Sequence, residues 1–269
     1  MKTLLLIAAV LYCTITLAQA PESFFDKDSK RYGFKDKSGK VIAPAQFKAI
    51  QRFSEGLAAV SLDDKWGYID EKGVMQITPQ FDVANAFSEG LASVGKPGDK
   101  KNVYGAVMIY GYIDKTGKLL IDYKFDIANN FKNGYAIVAS TDMYNDNSLY
   151  GAINKKGELV IPMEYSVMNN FAEGYFQAAK GDIKNYKGKY GFIDLNNKTV
   201  VPFMYDDAMW FIEGLASVKK GDKWGFIDNK NNTVIPFIYD CAAYFEKGRA
   251  EVCKGTATFF INKKGVKVK

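Results

Sequence analysis

The chain has 269 residues, 36 basic and 30 acidic side chains for a net charge of +6, and no histidine. Without histidine it lacks the commonest general base, the usual partner of a nucleophilic serine or cysteine, and the commonest zinc ligand. Lysines and acids are interspersed, not the concentrated basic stripe that neutralises many phosphates, so nucleic acid is not expected as a partner.

Residues 1–20, MKTLLLIAAVLYCTITLAQA, carry one positive charge at Lys2, an apolar run from Leu4 to Leu17, and the small-x-small end Ala18-Gln19-Ala20. That pattern reads as a secretory signal peptide, too short and wrongly flanked to span a bilayer. Cys13 follows Tyr12, where a lipoprotein signal wants a small residue. No later stretch approaches the roughly eighteen apolar residues of a spanning helix. The expectation is an exported protein, periplasmic or extracellular, without a membrane span. A lead, 21–30, follows.

From 31 to 269 the chain repeats itself, and such a repeat governs every other reading. Glycines follow an aromatic residue at Gly33, Gly67, Gly111, Gly151, Gly191 and Gly225, with tryptophan preceding two of them as Trp66 and Trp224. Twenty-three residues beyond each stands a second glycine: Gly56, Gly90, Gly134, Gly174, Gly214 and Gly248. The units lie near 31–64, 65–109, 110–149, 150–189, 190–223 and 224–256, with a C-terminal cap at 257–269. The period varies (34, 44, 40, 40 and 34 residues), and all the variation falls between the LASV-type segment and the next aromatic-Gly pair.

Within a unit, WGYID alternates as a strand does. The following turn holds only Gly or Asn at its fourth place, from Gly39 and Gly73 through Asn197 and Asn231 to Gly265. These residues accept a left-handed backbone most readily, so an antiparallel hairpin is expected. The second strand carries the proline of the VIP segment, which predicts a strand end or a sheet edge. FDVANAF then forms either a single helical turn or an irregular crossing, and a Glu-Gly turn reverses the chain into LASV, a third strand. The fold class expected is all-β, a tandem array of short antiparallel meanders. An open solenoid-like superhelix is favoured, with propeller-like closure as the alternative. Stacking neighbours would bury the aromatics, each contributing about 2–3 kcal/mol.

The recurring KWGYIDxxG…FSEGLASV pattern resembles the WG-containing (KWG) repeat family of bacteria across residues 31–265. The resemblance implies an all-β tandem array and a bacterial origin, and no defined activity.

Acids recur at Asp70, Asp114, Asp194 and Asp228 and at Glu55, Glu89, Glu173 and Glu213. They could form a glycosidase pair or a calcium ladder. Residues present in every unit are more simply explained by folding, with Asp opening each turn and Glu in solvent. Trp66, Gly67, Gly90, Trp224, Gly225 and Gly248 are accordingly read as structural, the first glycine of each unit making room for a neighbouring aromatic. Cys241 and Cys253 could pair in an oxidising compartment, although their approach is not legible from spacing. No catalytic residue, metal or cofactor is expected. Candidate binding residues are Tyr104, Tyr144 and Tyr186, which lie among Lys, Asp and Asn in the three long loops. The expected role is a non-enzymatic scaffold that binds a protein or envelope glycan through its variable-loop edge. The alternatives are a carboxylate-based glycan-active enzyme and a purely structural envelope protein.

Overall fold

A computed structural model describes residues 20–102, 105–142, 147–169, 171–182 and 188–269. The segment 1–19 and the loop tyrosines Tyr104, Tyr144 and Tyr186 lie outside the described residues. Among the described residues the chain is all β, arranged as seven antiparallel sheets in chain order with no closed barrel.

Sheet 1 contains Glu22–Asp26, Arg31–Lys35 and Val41–Phe47, so part of the lead already pairs as a strand. Sheets 2 to 7 each have four strands, as in sheet 2: Ala49–Ile50, Leu57–Leu62, Lys65–Asp70 and Met75–Phe81. Sheets 2 to 6 share one order: a two-residue strand, the LASV strand, the aromatic-Gly strand and the proline strand, in which Asp122 stands in for the proline in sheet 3; sheet 7 ends instead on Ala257–Asn262 and Lys267–Val268. The LASV strand of one unit therefore shares a sheet with the aromatic-Gly strand of the next.

The connector is neither the expected helical turn nor a wholly irregular crossing. In sheet 3 its Val83–Ala84 pairs with Gly95 and Val94, and the pairing is continued by Asp82 N to Gly95 O at 3.1 Å and Asn85 N to Ser93 O at 3.0 Å. The β-branched and small residues at this point suit a strand, and the ladder satisfies backbone groups that an isolated helical turn would leave open. A single bend residue, Asp82, joins one sheet to the next. Each unit thus supplies four strands, not three.

The proline strand is the last strand of its sheet and hence an edge, which is where Pro44, Pro79, Pro162, Pro202 and Pro236 are tolerated. Between Trp66↔Phe81 and Tyr68↔Ile77 the register slips, and the bulge recurs at the equivalent strand of sheets 1 to 6, including Leu119–Phe125 of sheet 3, which has no proline. The bulge explains the glycine of the aromatic-Gly pair. A Cβ on Gly67 would stand 2.4 Å from Ile77 O and 2.7 Å from Pro79 N. It is therefore backbone, not a neighbouring aromatic, that crosses most of these glycines. Gly33, which also meets the Phe24 ring, and Gly225, which also meets the Phe237 ring, fit the aromatic reading in part.

Each core lies between successive sheets. Tyr68 of sheet 2 meets Phe87 of the connector that enters sheet 3, with ring centroids 4.9 Å apart, and Tyr112–Phe131, Phe192–Phe211 and Phe226–Phe245 repeat the contact. Flanking units close the same cluster, with Leu57 and Ala59 from the unit before and Ile113 from the unit after. In the last sheet cations cover the rings: Arg249 over Phe260 and Lys267 over Phe259. Lys35 lies over Phe24 in the first sheet. Hydrogen bonds and ion pairs between sheets run from one sheet to its neighbour. Among the described residues none joins the last sheet to the first.

Candidate functional site

The hairpins between LASV and aromatic-Gly strands all emerge on one edge of the array. Three are closed by two-residue turns, at Asp63-Asp64, Gly221-Asp222 and Gly255-Thr256. The other three lengthen. In sheet 3, Ala92–Asn102 pairs with Gly105–Ile113 through a bulge between Ala106 and Met108. In sheet 4, Tyr135–Asp142 pairs with Asn147–Asn154, and in sheet 5 Gly188 N closes on Asp182 O at 2.9 Å. The structure thus describes the stems that would carry Tyr104, Tyr144 and Tyr186, and not those side chains.

The stems are anchored through the junction aspartates. Lys65 pairs with Asp82 at 2.7 Å, and Lys189–Asp206 and Lys223–Asp240 are equivalent ion pairs, giving the lysine of the KWG signature a structural task. In sheet 4, Asp126 accepts from Thr141 N at 2.7 Å and pairs with Lys100 of the preceding stem at 3.1 Å. Lys180 lies over the Tyr165 ring at 4.8 Å and pairs with Glu164 at 3.1 Å.

The opposite edge carries the recurring acids. Asp70 Oδ1 accepts from Lys72 N and Val74 N, both at 2.9 Å, and Asp36, Asp114, Asp194 and Asp228 do the same. These carboxylates close turns. Glu55 and Gly56 both have positive φ, 53° and 86°, the conformation of a two-residue type I′ hairpin. Glutamate is a poor choice there, costing about 1 kcal/mol in a left-handed backbone. The offset comes from the next unit: Gly90 N donates to Glu55 Oε2 at 3.0 Å, Gly134 N to Glu89 at 2.9 Å, Gly214 N to Glu173 at 2.9 Å and Gly248 N to Glu213 at 3.1 Å. Lys115, Lys155 and Lys263 pair with Glu55, Glu89 and Glu213 at 3.2, 3.1 and 3.0 Å. The glutamates are therefore rungs of an inter-unit ladder, not solvated surface.

Partial burial would raise the Glu55 and Glu89 carboxyls, but the Gly90 amide at Glu55 and Lys155 at Glu89 lead the contacts that hold them below the usual range. Lys263 and then the Gly248 amide do so for Glu213. Asn133 interrupts the ladder and donates instead to Phe171 O at 3.2 Å. In sheet 7 the glutamate position holds Lys247.

Cys241 and Cys253 face each other across the short and LASV strands of sheet 7, with Cα atoms 5.0 Å apart and their sulfurs joined as a disulfide. The same register holds Val83↔Gly95 in sheet 3 and Asp207↔Lys219 in sheet 6, so the cystine replaces an ordinary cross-strand pair.

A second surface escaped the sequence reading. The connectors lie side by side along the first edges of the sheets, linked by Gln51 Nε2 to Ala84 O at 2.9 Å and Ser54 Oγ to Phe87 O at 2.7 Å. Two depressions fall in this row. One, of about 530 Å³, is lined by residues 20–23, Phe34 and residues 50–53; the other, of about 480 Å³, lies between Asn85 and Ser88 of sheet 3 and Ala128–Lys132 of sheet 4. Trp210 and Tyr244 adjoin farther along, with centroids 5.9 Å apart and planes 30° from parallel. The signal available in the sequence was the position before the constant Phe53, Phe87, Phe131, Phe211 and Phe245, which changes from Arg52 and Ala86 through Asn130 to Trp210 and Tyr244.

Among the described residues no group of three or more Cys, Asp or Glu side chains is placed to hold a metal, and no helix is long and apolar enough to cross a membrane.

No curated protein matches the sequence. Among solved structures, one titled as a crystal structure of the eukaryotic initiation factor is 12% identical, with a TM-score of 0.44, covering 93% of this chain and 84% of that one. A likeness that distant carries no argument about function. The family profile described as WG containing repeat matches residues 32–66, 66–100, 110–142, 150–182, 190–224 and 224–255. The six matches span most of the chain, which belongs to the WG-containing repeat family.

Proposed function

We propose that the chain is exported on a cleaved signal peptide, residues 1–20, and that the mature array is a non-enzymatic scaffold binding a protein or cell-envelope polymer through its variable-loop edge. One observation carries this reading: the length differences between repeats are confined to hairpins on a single edge, while the opposite edge is committed to the turn ladder. Insertions that leave a repeat core intact are where a scaffold diversifies its contacts. Replacing the three long hairpins with two-residue turns, in the mature chain, should abolish partner capture from an envelope extract and leave the circular dichroism spectrum unchanged. Undiminished capture by the shortened array would refute the proposal.

An enzymatic reading has one specific foothold. Asp206 is held low by Lys189, whereas burial pushes its neighbour Asp207 up, so adjacent carboxyls titrate apart. Both are already engaged, Asp206 by Lys189 and Gly221 N and Asp207 by Ala208 N at 2.8 Å. Glycan turnover that vanished in Asp207→Asn with folding intact would favour the hydrolase over the scaffold.

A further inference from the structure

We infer that the connector row is a carbohydrate-binding face, with Trp210 and Tyr244 stacking a neutral sugar ring and the amides of the same row bonding its hydroxyls. This face is distinct from the variable-loop edge and does not depend on the function proposed there.

The tryptophans of the chain are not equivalent. Trp66 and Trp224 lie against hydrophobic core clusters, in the aromatic-Gly strands. Trp210 and Tyr244 pack against none of these clusters. They occupy matching places in successive connectors, and Tyr244 is 39% exposed. Trp210 is half-buried and Tyr244 exposed, so the pair stands at the margin of the core. Arg52, Ala86 and Asn130 serve at the same place in other repeats.

The surroundings select the ligand. Tyr244 is the one large hydrophobic side chain of the described connectors that is exposed, so the pair is an isolated two-ring platform in a polar row. A protein hot spot needs a wider apolar core around its aromatics and a ring of contacts that exclude water. A pyranose needs less: one aromatic face for its C–H surface and a few amide or hydroxyl groups to orient its hydroxyls. The row supplies such groups in the 480 Å³ depression, where Asn129 and Asn130 are exposed and Ser88 and Lys132 contribute to the wall. Asn85 is held there by its bond to Ser93 Oγ at 2.9 Å, and the Asn129 carbonyl accepts from Tyr112 OH at 2.7 Å, which fixes the backbone of the wall. A linear oligosaccharide lying along the row would meet amides at one end and rings at the other. The polar lining carries few charges, which points to a neutral chain over an acidic one.

The test uses the mature chain titrated calorimetrically with chitohexaose and, separately, cellohexaose. At least one should give a saturable isotherm. Trp210→Ala and Tyr244→Ala should each weaken it about tenfold or more, equivalent to about 1.4 kcal/mol, with melting temperatures close to that of the parent because neither ring belongs to the core. The array with its three long hairpins shortened should bind the sugar undiminished, which separates this face from the loop edge. Absence of saturable binding to both hexasaccharides, or equal affinity in parent and both ring variants, would overturn the inference. So would loss of self-association in Trp210→Ala, by ultracentrifugation, with sugar binding unaltered, since the pair would then be a protein contact.

Discussion

Gly67→Ala is the most telling substitution in this fold. The added methyl carbon would stand 2.4 Å from Ile77 O, 2.7 Å from Pro79 N and 2.9 Å from Thr78 C, all of them backbone atoms of one bulge. No side-chain rotation relieves such a contact, so the proline strand must shift by about half an ångström or more to reach even the shortest tolerated separations. Overpacking of this kind costs about 1–3 kcal/mol, and the upper half of that range applies because the bulge is fixed on both sides by the pairs Trp66↔Phe81 and Tyr68↔Ile77. Gly56→Ala is the control: its Cβ meets nothing within 4 Å, and only the φ of +86° opposes it, at about 1 kcal/mol. Urea denaturation of the mature chain, followed by circular dichroism, should therefore place Gly67→Ala well below Gly56→Ala in midpoint. The same substitution at Gly225, where the nearest backbone atom is Ile235 O at 2.8 Å, should be milder than at Gly67. If Gly67→Ala proved no worse than Gly56→Ala, the explanation of the aromatic-Gly pair would be wrong.

Three further outcomes are expected. Ser217 Oγ is buried without a partner because Met209 occupies the place from which Asn85 serves Ser93 in sheet 3, so Ser217→Ala should raise stability by about 1 kcal/mol in a urea titration. Reduction of Cys241–Cys253, which closes a loop with a sequence separation of 12, should cost about 3 kcal/mol, read as a reductant-dependent urea midpoint that the Cys241→Ser/Cys253→Ser double variant lacks. The carboxyls of Glu55, Glu89, Glu213, Asp36, Asp70, Asp114 and Asp228 lie lower in the folded chain than in the unfolded one. Their contribution is complete above the unfolded values near 4, and the melting temperature should fall as pH drops through the folded values, with no comparable loss between pH 6 and 8.

Much of the fold was legible because it depends on local chemistry repeated in register. Gly73 at +81° and Asn231 at +65° do adopt the left-handed turn that their identities predicted, and the Asp carboxylates close those turns. What stayed hidden depends on contacts between units. The Glu55 carboxylate finds its partner 35 residues away in Gly90, a relation that no window of one unit contains. The connector paired as a strand because the neighbouring LASV backbone was available, which local propensity does not disclose. One inter-unit relation stood in plain view when the copies are aligned. Phe47, Phe81 and Phe125 precede units whose turn residue is Gly, whereas Tyr165 and Tyr205 precede Asn197 and Asn231 and donate to their Oδ1 atoms at 2.6 Å. Tyr239, followed by Gly265, departs from this pairing. Trp210 and Tyr244 were passed over for the opposite reason: they break the repeat at a place where repetition had drawn attention to its constant residues.

The central claim is that each unit is completed by its neighbour, and amide hydrogen exchange at the second glycine of each repeat tests it directly. The amides of Gly90, Gly134, Gly214 and Gly248 are held by the carboxylate of the preceding unit. Gly56 has no glutamate-bearing unit before it, and Gly174 follows Asn133. Four protected amides, with Gly56 and Gly174 exchanging near the free rate, are the predicted result. Six amides exchanging alike would contradict it.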